Sequence, residues 1–244
     1  MLIPIYDLTG NSTFDDYHPM AEIAALAHYI LCKAGYREAV NRARVEFDEW
    51  LNDPKEIDGG NMWAVFRWVD KEWESGLQRA IDLLHNETSP DFRRFLLSQL
   101  MSSTVQPDKL ERLLMMMLVD KDYVFTDAEL KAALAAIIDS HTFLKFITNN
   151  WEPIKRRFEN RTSIWHYMLE QATKKWKTQE GYELVSEFYK THKEKLGDAA
   201  QIVKHSLQVI KNNKEGTYRN IPTLETWLDH YLILNDTDGL FYSM

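Results

Sequence analysis

Apolar residues recur at helical spacing along nearly the whole chain. The first such stripe consists of Ile23, Leu26, Ala27, Ile30 and Leu31. Spacings of three and four residues place side chains on one face of an α-helix. Similar stripes begin at Leu110, Leu130 and Ile202, and no segment shows the convincing alternation of a half-buried strand. The pattern therefore predicts an all-α fold.

Capping residues set the predicted boundaries of the helices. Gly35 follows the first stripe as a C-terminal cap would, and Ser89 followed by Pro90 is typical of a helix start. Thr126 and Glu129 have the spacing of a capping box. The predicted helices lie near 19–34, 37–52, 61–70, 71–85, 90–103, 107–119, 127–140, 142–149, 151–158, 163–176, 179–196, 198–213 and 222–231.

The lengths of these helices indicate how they assemble. Each is too short to bury its apolar face alone, so neighbouring helices must pack in pairs. Consecutive antiparallel pairs of this size resemble armadillo or HEAT units, although no sequence repeat is recognisable. We therefore predict an irregular superhelix. Because no Pro-, Gly- or Ser-rich linker interrupts the chain, residues 19–244 are predicted to form a single domain.

Charge and composition restrict the partners. The 37 acidic and 29 basic residues are interspersed and give a net charge of -8, which argues against a nucleic-acid partner. The longest apolar run, Leu113 to Val119, is far shorter than the ~20 residues of a membrane span, so no membrane insertion by this chain is expected. Cys32 is the only cysteine, which excludes an internal disulfide and predicts a small buried hydrophobic residue.

The search for catalytic motifs is negative. A helical zinc hydrolase needs His-Glu-x-x-His, and no histidine here is followed by Glu or has a second histidine four residues later. The histidines are scattered along the chain at positions 18, 28, 85, 141, 166, 192, 205 and 230. There is no Gly-rich phosphate loop and no nucleophile elbow. We predict no catalytic residue, metal site or cofactor site in this chain.

Candidate N-glycosylation sites are the one modification signal. Asn-x-Ser/Thr acceptors occur at Asn11, Asn86, Asn160 and Asn235, all in segments predicted to be turns or tails. Chance alone would give roughly one or two. The sequons favour the secretory pathway or the extracellular face of the plasma membrane, with the cytoplasm as the alternative.

Several stretches occur together in an order that carries a resemblance. Cys32 to Gly35 forms a Cys-x-x-Gly helix end, and the next helix closes on Phe47, Trp50 and Leu51. Further along come the aromatic stretch from Val65 to Leu77, the Asn150-Trp151 pair and a final segment from Leu207 to Leu228. In order and spacing they resemble the C-terminal helical domain of the gluzincin zinc aminopeptidases, which include aminopeptidase N and the endoplasmic-reticulum aminopeptidases. The family-like structural anchors are Trp50, Asn150, Trp151 and Trp227.

The resemblance carries functional expectations. It implies that residues 1–18 lead in from a preceding domain, and that the parent protein is a zinc metallo-aminopeptidase removing N-terminal residues from peptides. The helical domain would enclose the substrate, regulate opening and closing, and form a homodimer contact. Its partners would be the catalytic domain of the same polypeptide and the peptide substrate. The zinc and every catalytic residue would lie in that catalytic domain, so this chain alone is expected not to be an enzyme.

One departure from the family keeps alternatives open. Cell-surface members carry a second Cys soon after the first, where this chain has Ala39, and a further pair that is absent here. The parent could therefore be a catalytically inactive homologue whose helical domain binds an extracellular protein. A third interpretation is a cytosolic helical-repeat scaffold unrelated to peptidases, which explains the helices but not the ordered motifs.

Overall fold

The architecture is helical throughout the part of the chain that the structure describes. A computed structural model describes residues 19–52, 63–86 and 89–213, together with 223, 226 and 227. Within these ranges the regular elements are helices and no strand occurs, which confirms the all-α prediction. The described residues up to Asp139 form one compact unit, unit 1, and those from Ser140 onward form a second, unit 2. The armadillo-like superhelix stays a prediction, and residues 1–18 lie outside the described ranges.

Unit 1 is built from seven α-helices among its described residues. They are α1 (Pro19–Ala34), α2 (Arg37–Asn52), α3 (Trp63–Trp68), α4 (Trp73–Asn86), α5 (Pro90–Ser103), α6 (Pro107–Leu114) and α7 (Asp127–Ala136). Helix α2 packs against α1 and α3, α5 contacts α3 and α4, and α5 and α7 pack against each other along much of their length. This pairing of neighbours is what the short amphipathic helices predict.

An aromatic cluster forms much of the core where α2, α3 and α4 meet. The rings of Phe47 and Phe66 meet edge to face with centroids 5.9 Å apart, and Trp50 lies 6.0 Å from Trp63. All four side chains are buried. Gly76 of α4 packs directly onto this cluster, since a Cβ there would lie 2.6 Å from Cζ of Phe66. The absence of a side chain at Gly76 lets α4 approach the rings.

The capping predictions for α5 and α7 are confirmed. The Ser89 hydroxyl accepts a hydrogen bond from the backbone N–H of Phe92, with Pro90 at the first helical position. The Thr126 hydroxyl accepts from the N–H of Glu129, whose carboxylate accepts in return from the Thr126 N–H at 2.7 Å. These bonds satisfy N–H groups that have no partner inside the helix.

A π-helical turn follows α6. Residues Met115–Val119 continue the helix with a wider repeat, and the N–H of Asp120 donates to the carbonyl of Met115 at 2.9 Å. Within this turn the three consecutive side chains of Met116, Met117 and Leu118 are all buried, whereas Met115 is 42% exposed. The sequence predicts one continuous helix over 107–119 and misses this change of repeat.

Unit 2 contains five α-helices within residues 140–213, and the described residues 223, 226 and 227 are also helical. The five helices are α8 (Ser140–Asn149), α9 (Trp151–Phe158), α10 (Thr162–Lys174), α11 (Gln179–His192) and α12 (200–213), with a short 3-10 turn at Gly197–Ala199. The Trp151 ring lies 5.4 Å from Trp165, 5.6 Å from Phe188 and 4.1 Å from His192, measured between centroids. A buried hydrogen bond of 2.8 Å from Thr173 to Ser206 links α10 to α12.

The first apolar stripe is only half buried, contrary to expectation. Ala27 and Leu31 lie in the core, as does Cys32, whose predicted burial is confirmed. Ile23 and Leu26 are 44% and 58% exposed, and Ile30 is also exposed. Helical spacing shows which residues share a face of α1, but whether that face is covered depends on the elements around it.

Candidate functional site

A cavity of about 590 Å³ opens between helices of unit 1. Its lining comprises Tyr29, Cys32, Lys33, Trp63, Ala64, Arg67, Phe95, Ser98, Gln99, Ser102, Ser103 and Ala136. Helices α1, α3 and α5 supply nearly all of these side chains. Among the lining residues that the structure describes there are two cations and several hydroxyl groups but no carboxylate. The cavity is therefore suited to a ligand with a negatively charged group and apolar parts.

The two cations of the cavity are held against aromatic rings. Lys33 Nζ lies 4.7 Å from the centre of the Tyr29 ring, one helical turn earlier on α1. The Arg67 guanidinium lies 5.3 Å from the Trp68 ring, and the Arg67 carbonyl accepts a hydrogen bond from Gln106 at 3.0 Å. Contacts of this kind restrict the side chains without neutralising their charge.

Cys32 lines the same cavity but is not suited to nucleophilic chemistry. Burial, with a smaller contribution from Glu46 and an opposing one from Arg42, raises the pKa of the Cys32 thiol to about 12. A thiol with this pKa stays protonated at neutral pH, and the thiolate is the reactive form. The Cys32 carbonyl has a structural role because it accepts a hydrogen bond of 2.7 Å from the Trp68 indole.

Two of the further depressions in unit 2 differ in their chemical character. One, of about 360 Å³, is a mainly apolar groove between α8 and α11 that includes Leu144, Leu184 and Phe188. The other, of about 530 Å³, is lined largely by charged residues beside the turn between α9 and α10. Its lysines pair with carboxylates of the same depression, as in the ion pair between Lys195 and Glu152 at 2.6 Å.

The described histidines do not form a metal site. His28 Nε2 lies 3.1 Å from the Ala39 carbonyl, and His192 packs against the rings of Trp151 and Phe188. Within the described ranges no group of three or more His, Cys, Asp or Glu side chains is arranged to hold a metal ion. The described residues thus offer no ligand set for a zinc ion, and no chemical step is assigned to one. No described helix has the length and apolar character needed to span a membrane.

His192 is buried without hydrogen bonds to its ring. Neither ring nitrogen has a hydrogen-bond partner among the described residues. Burial lowers the pKa of His192, Lys195 lowers it further, and Glu152 opposes this shift. The imidazole is consequently held in its neutral form within the aromatic cluster.

A comparison with family models decides what kind of domain this is. The family model described as ERAP1-like C-terminal domain matches residues 1–212. The chain belongs to this family. The family is the C-terminal helical domain of M1 aminopeptidases, which confirms the resemblance found in the sequence. A comparison with curated proteins found no match.

The four residues predicted as ERAP1-like structural anchors have different environments. Trp50 and Trp151 are buried in the aromatic clusters of unit 1 and unit 2. Asn150 precedes α9, and its amide donates back to the Phe146 carbonyl at 3.0 Å. Trp227 is 58% exposed, and its role as a structural anchor stays a prediction. Its position on an apolar stripe does not determine whether another element covers it.

The candidate glycosylation sites are only partly described. Asn86 is the last residue of α4, and Asn160 lies in the turn between α9 and α10. Both are exposed, whereas Asn11 and Asn235 lie outside the described residues. Their modification stays a prediction.

Lys33 and Arg67 are the residues of this ERAP1-like domain that sequence reasoning missed. They are 34 positions apart, which follows from their residue numbers, and neither belongs to a motif. Lys33 follows Tyr29 by one helical turn, and Arg67 directly precedes Trp68. A basic residue near an aromatic one is common on helices and does not by itself indicate a binding site. Only the packing of α1, α3 and α5 brings the two cations to one cavity.

Proposed function

We propose that this chain is the substrate-enclosing and regulatory domain of a zinc metallo-aminopeptidase that removes N-terminal residues from peptides. The observation that carries the proposal is the match of the ERAP1-like C-terminal domain over residues 1–212. The zinc and the catalytic residues belong to the catalytic domain of the parent protein. That domain and the peptide are the partners of this one, a homodimer contact is a further role, and the sequons favour a secretory or cell-surface location.

The cavity of unit 1 supports a direct role in binding peptides. Lys33 and Arg67 supply positive charge, Ser98 and Ser102 supply hydroxyl groups, and Phe95 supplies apolar surface. A peptide carries a terminal carboxylate next to an apolar side chain, and these features match that chemistry. A domain that both encloses the peptide and holds its carboxylate would restrict which peptides reach the catalytic zinc.

Peptide titration of the purified chain tests this role. A labelled peptide with a free C-terminal carboxylate should bind at least about tenfold more tightly than the same peptide with a C-terminal amide, because a charge-assisted hydrogen bond is lost. The substitutions Lys33→Met and Arg67→Met should remove this preference, as measured by fluorescence anisotropy. Lys121→Met, at an exposed residue outside the cavity, is the matched control. Equal affinity for both peptides would contradict the assignment of the cavity.

A second measurement separates an active parent from an inactive one. Hydrolysis of an aminoacyl-anilide by the full-length protein, together with an intact His-Glu-x-x-His sequence, supports the aminopeptidase. Loss of both would favour the alternative, an extracellular protein-interaction domain of an inactive homologue. The absence of the family cysteines, with Cys32 alone and buried, is the observation behind that alternative.

A further inference from the structure

The two described sequons present their asparagines in different ways. The Asn86 amide donates a hydrogen bond of 2.8 Å to the Asp82 carbonyl one turn earlier in α4. Asn160 lies in a turn, is exposed, and its carboxamide makes no hydrogen bond with the described part of the chain. Among these two, Asn160 therefore has the carboxamide that is free to carry a substituent.

The backbone around Asn160 provides the room that a glycan needs. Helix α9 ends at Phe158, and the N–H of Arg161 donates to the Phe158 carbonyl at 2.8 Å, which closes the turn. Thr162, the hydroxyl residue of the sequon, is the first residue of α10 and is also exposed. A glycan attached here extends into solvent without disturbing either helix.

The surface beside Asn160 is polar. The charged depression of unit 2 includes Asn160 together with Glu152, Lys155, Lys195 and Asp198. These side chains remain hydrated and offer hydrogen-bond partners to sugar hydroxyls.

We propose that Asn160 carries an N-linked glycan. In the transfer, Nδ2 of Asn160 forms a bond to C1 of the first sugar of a lipid-linked oligosaccharide diphosphate. The C1–O bond to the phosphate breaks, its electron pair leaves with the lipid diphosphate, and one Nδ2 proton passes to a base of the transferring enzyme. The glycan keeps the edge formed by Asn160, Gly197 and Asp198 in solvent.

Secretion of the full chain from a eukaryotic host tests the proposal. Glycosidase release in heavy-oxygen water converts each glycosylated Asn into labelled Asp, and peptide mass spectrometry then reads every sequon separately. We expect the label at Asn160 in most molecules. Asn160→Gln and Thr162→Ala should each remove one glycan, and Asn86→Gln, the matched control, should leave the label at Asn160 unchanged.

An unlabelled Asn160 in the secreted, folded chain would overturn the proposal, whatever the other sequons carry. Retention of the same glycan at Asn160 in Thr162→Ala would also contradict it, since the sequon requires the hydroxyl residue. Circular dichroism of the secreted variants confirms that the helices are present in each case. The mass-spectrometric measurement does not depend on peptidase activity. An unglycosylated Asn160 would therefore contradict this proposal without contradicting the proposed aminopeptidase function.

Discussion

Gly76 is a position at which the core leaves no room for a side chain. A Cβ at this position would lie 2.6 Å from Cζ of Phe66 and 2.9 Å from Cε2 of Phe47. Both rings are fully buried and meet edge to face, so neither can move far without disturbing the other. Overpacking of this kind destabilises a core even though it adds apolar atoms.

We predict that Gly76→Ala lowers the free energy of unfolding by about 1–3 kcal/mol. In a solvent-exposed helix the same change would raise the free energy of unfolding by about 1 kcal/mol. A decrease therefore indicates that the added methyl group clashes with the two rings. Urea unfolding followed by circular dichroism measures the difference. Ser75→Ala, at the exposed neighbouring residue, should change the free energy by less than about 0.5 kcal/mol. A Gly76→Ala protein at least as stable as the original would contradict this packing.

His192 is a residue whose burial makes unit 2 sensitive to acid. Burial among Trp151 and Phe188 lowers its pKa below the ordinary value of 6.5. The unfolded chain therefore takes up a proton first as the pH falls. Neutral His192 contributes fully to the free energy of unfolding at pH values above its pKa in the unfolded chain. This contribution is lost as the pH falls from that value toward the lower pKa of the folded chain. The neighbouring charges, Glu152 and Lys195, are paired with each other.

Substitution of His192 should reduce this dependence on pH. We expect His192→Phe to show a smaller loss of stability than the original chain between about pH 7.5 and about pH 5. Urea midpoints for unfolding at the two pH values provide the measurement. His205→Gln, at an exposed histidine of α12, is the control and should retain the original pH dependence. An unchanged difference in His192→Phe would show that other groups dominate the acid response.

At the scale of elements, one ionic cluster joins three helices of unit 1. Arg93 of α5 donates to the Glu129 carboxylate of α7 and to the Leu84 carbonyl of α4. Burial alone would raise the pKa of Glu129, but hydrogen bonds from Arg93 and Thr126 outweigh it and lower the pKa. The same carboxylate completes the capping box of α7. One buried charge therefore serves both the start of a helix and its attachment to its neighbours.

Removal of Arg93 should be far more damaging than removal of the adjacent Arg94. We predict that Arg93→Ala lowers the free energy of unfolding by about 3 kcal/mol, because Glu129 would be left buried and unpaired. Arg94 pairs with exposed Asp91, so Arg94→Ala should cost no more than about 1 kcal/mol. Urea titration of both variants tests the difference. Equal losses would exclude Arg93 as the link between α5 and α7.

Helix starts were more predictable from sequence than helix ends. The starts of α5 and α7 follow from Ser89 and Thr126, whose side chains bond the backbone locally. The helix predicted over 127–140 instead ends at Ala136, and a new helix begins at Ser140. No local cap announces that end, since Ile137 is simply buried in an extended conformation. Tertiary packing decides such positions, and a single apolar stripe does not record it.

At the scale of the whole molecule, the family and the fold class were predictable but the cavity was not. Packing residues such as Trp50 and the Asn150-Trp151 pair stand in an order along the chain that carries the family resemblance. The cavity depends instead on how three helices bring Lys33 and Arg67 together. A contact between distant parts of the chain has no sequence periodicity. The exposed ring of Trp227 likewise could not be distinguished from a buried one by its spacing.

The π-helical turn at Met115–Val119 makes the chain length locally adjustable. A turn with i to i+5 hydrogen bonds holds one residue more than an α-helical turn of the same rise. Loss of one residue within Met115–Val119 can therefore be absorbed by conversion to an α-helical turn, with Leu114 and Asp120 keeping their orientation. The same deletion in the middle of α4 would rotate every later side chain by about 100° and remove the aromatic contacts of Gly76. Single-residue deletions should thus be tolerated unequally in unit 1, better at the exposed Met115 of this turn than in the middle of α4.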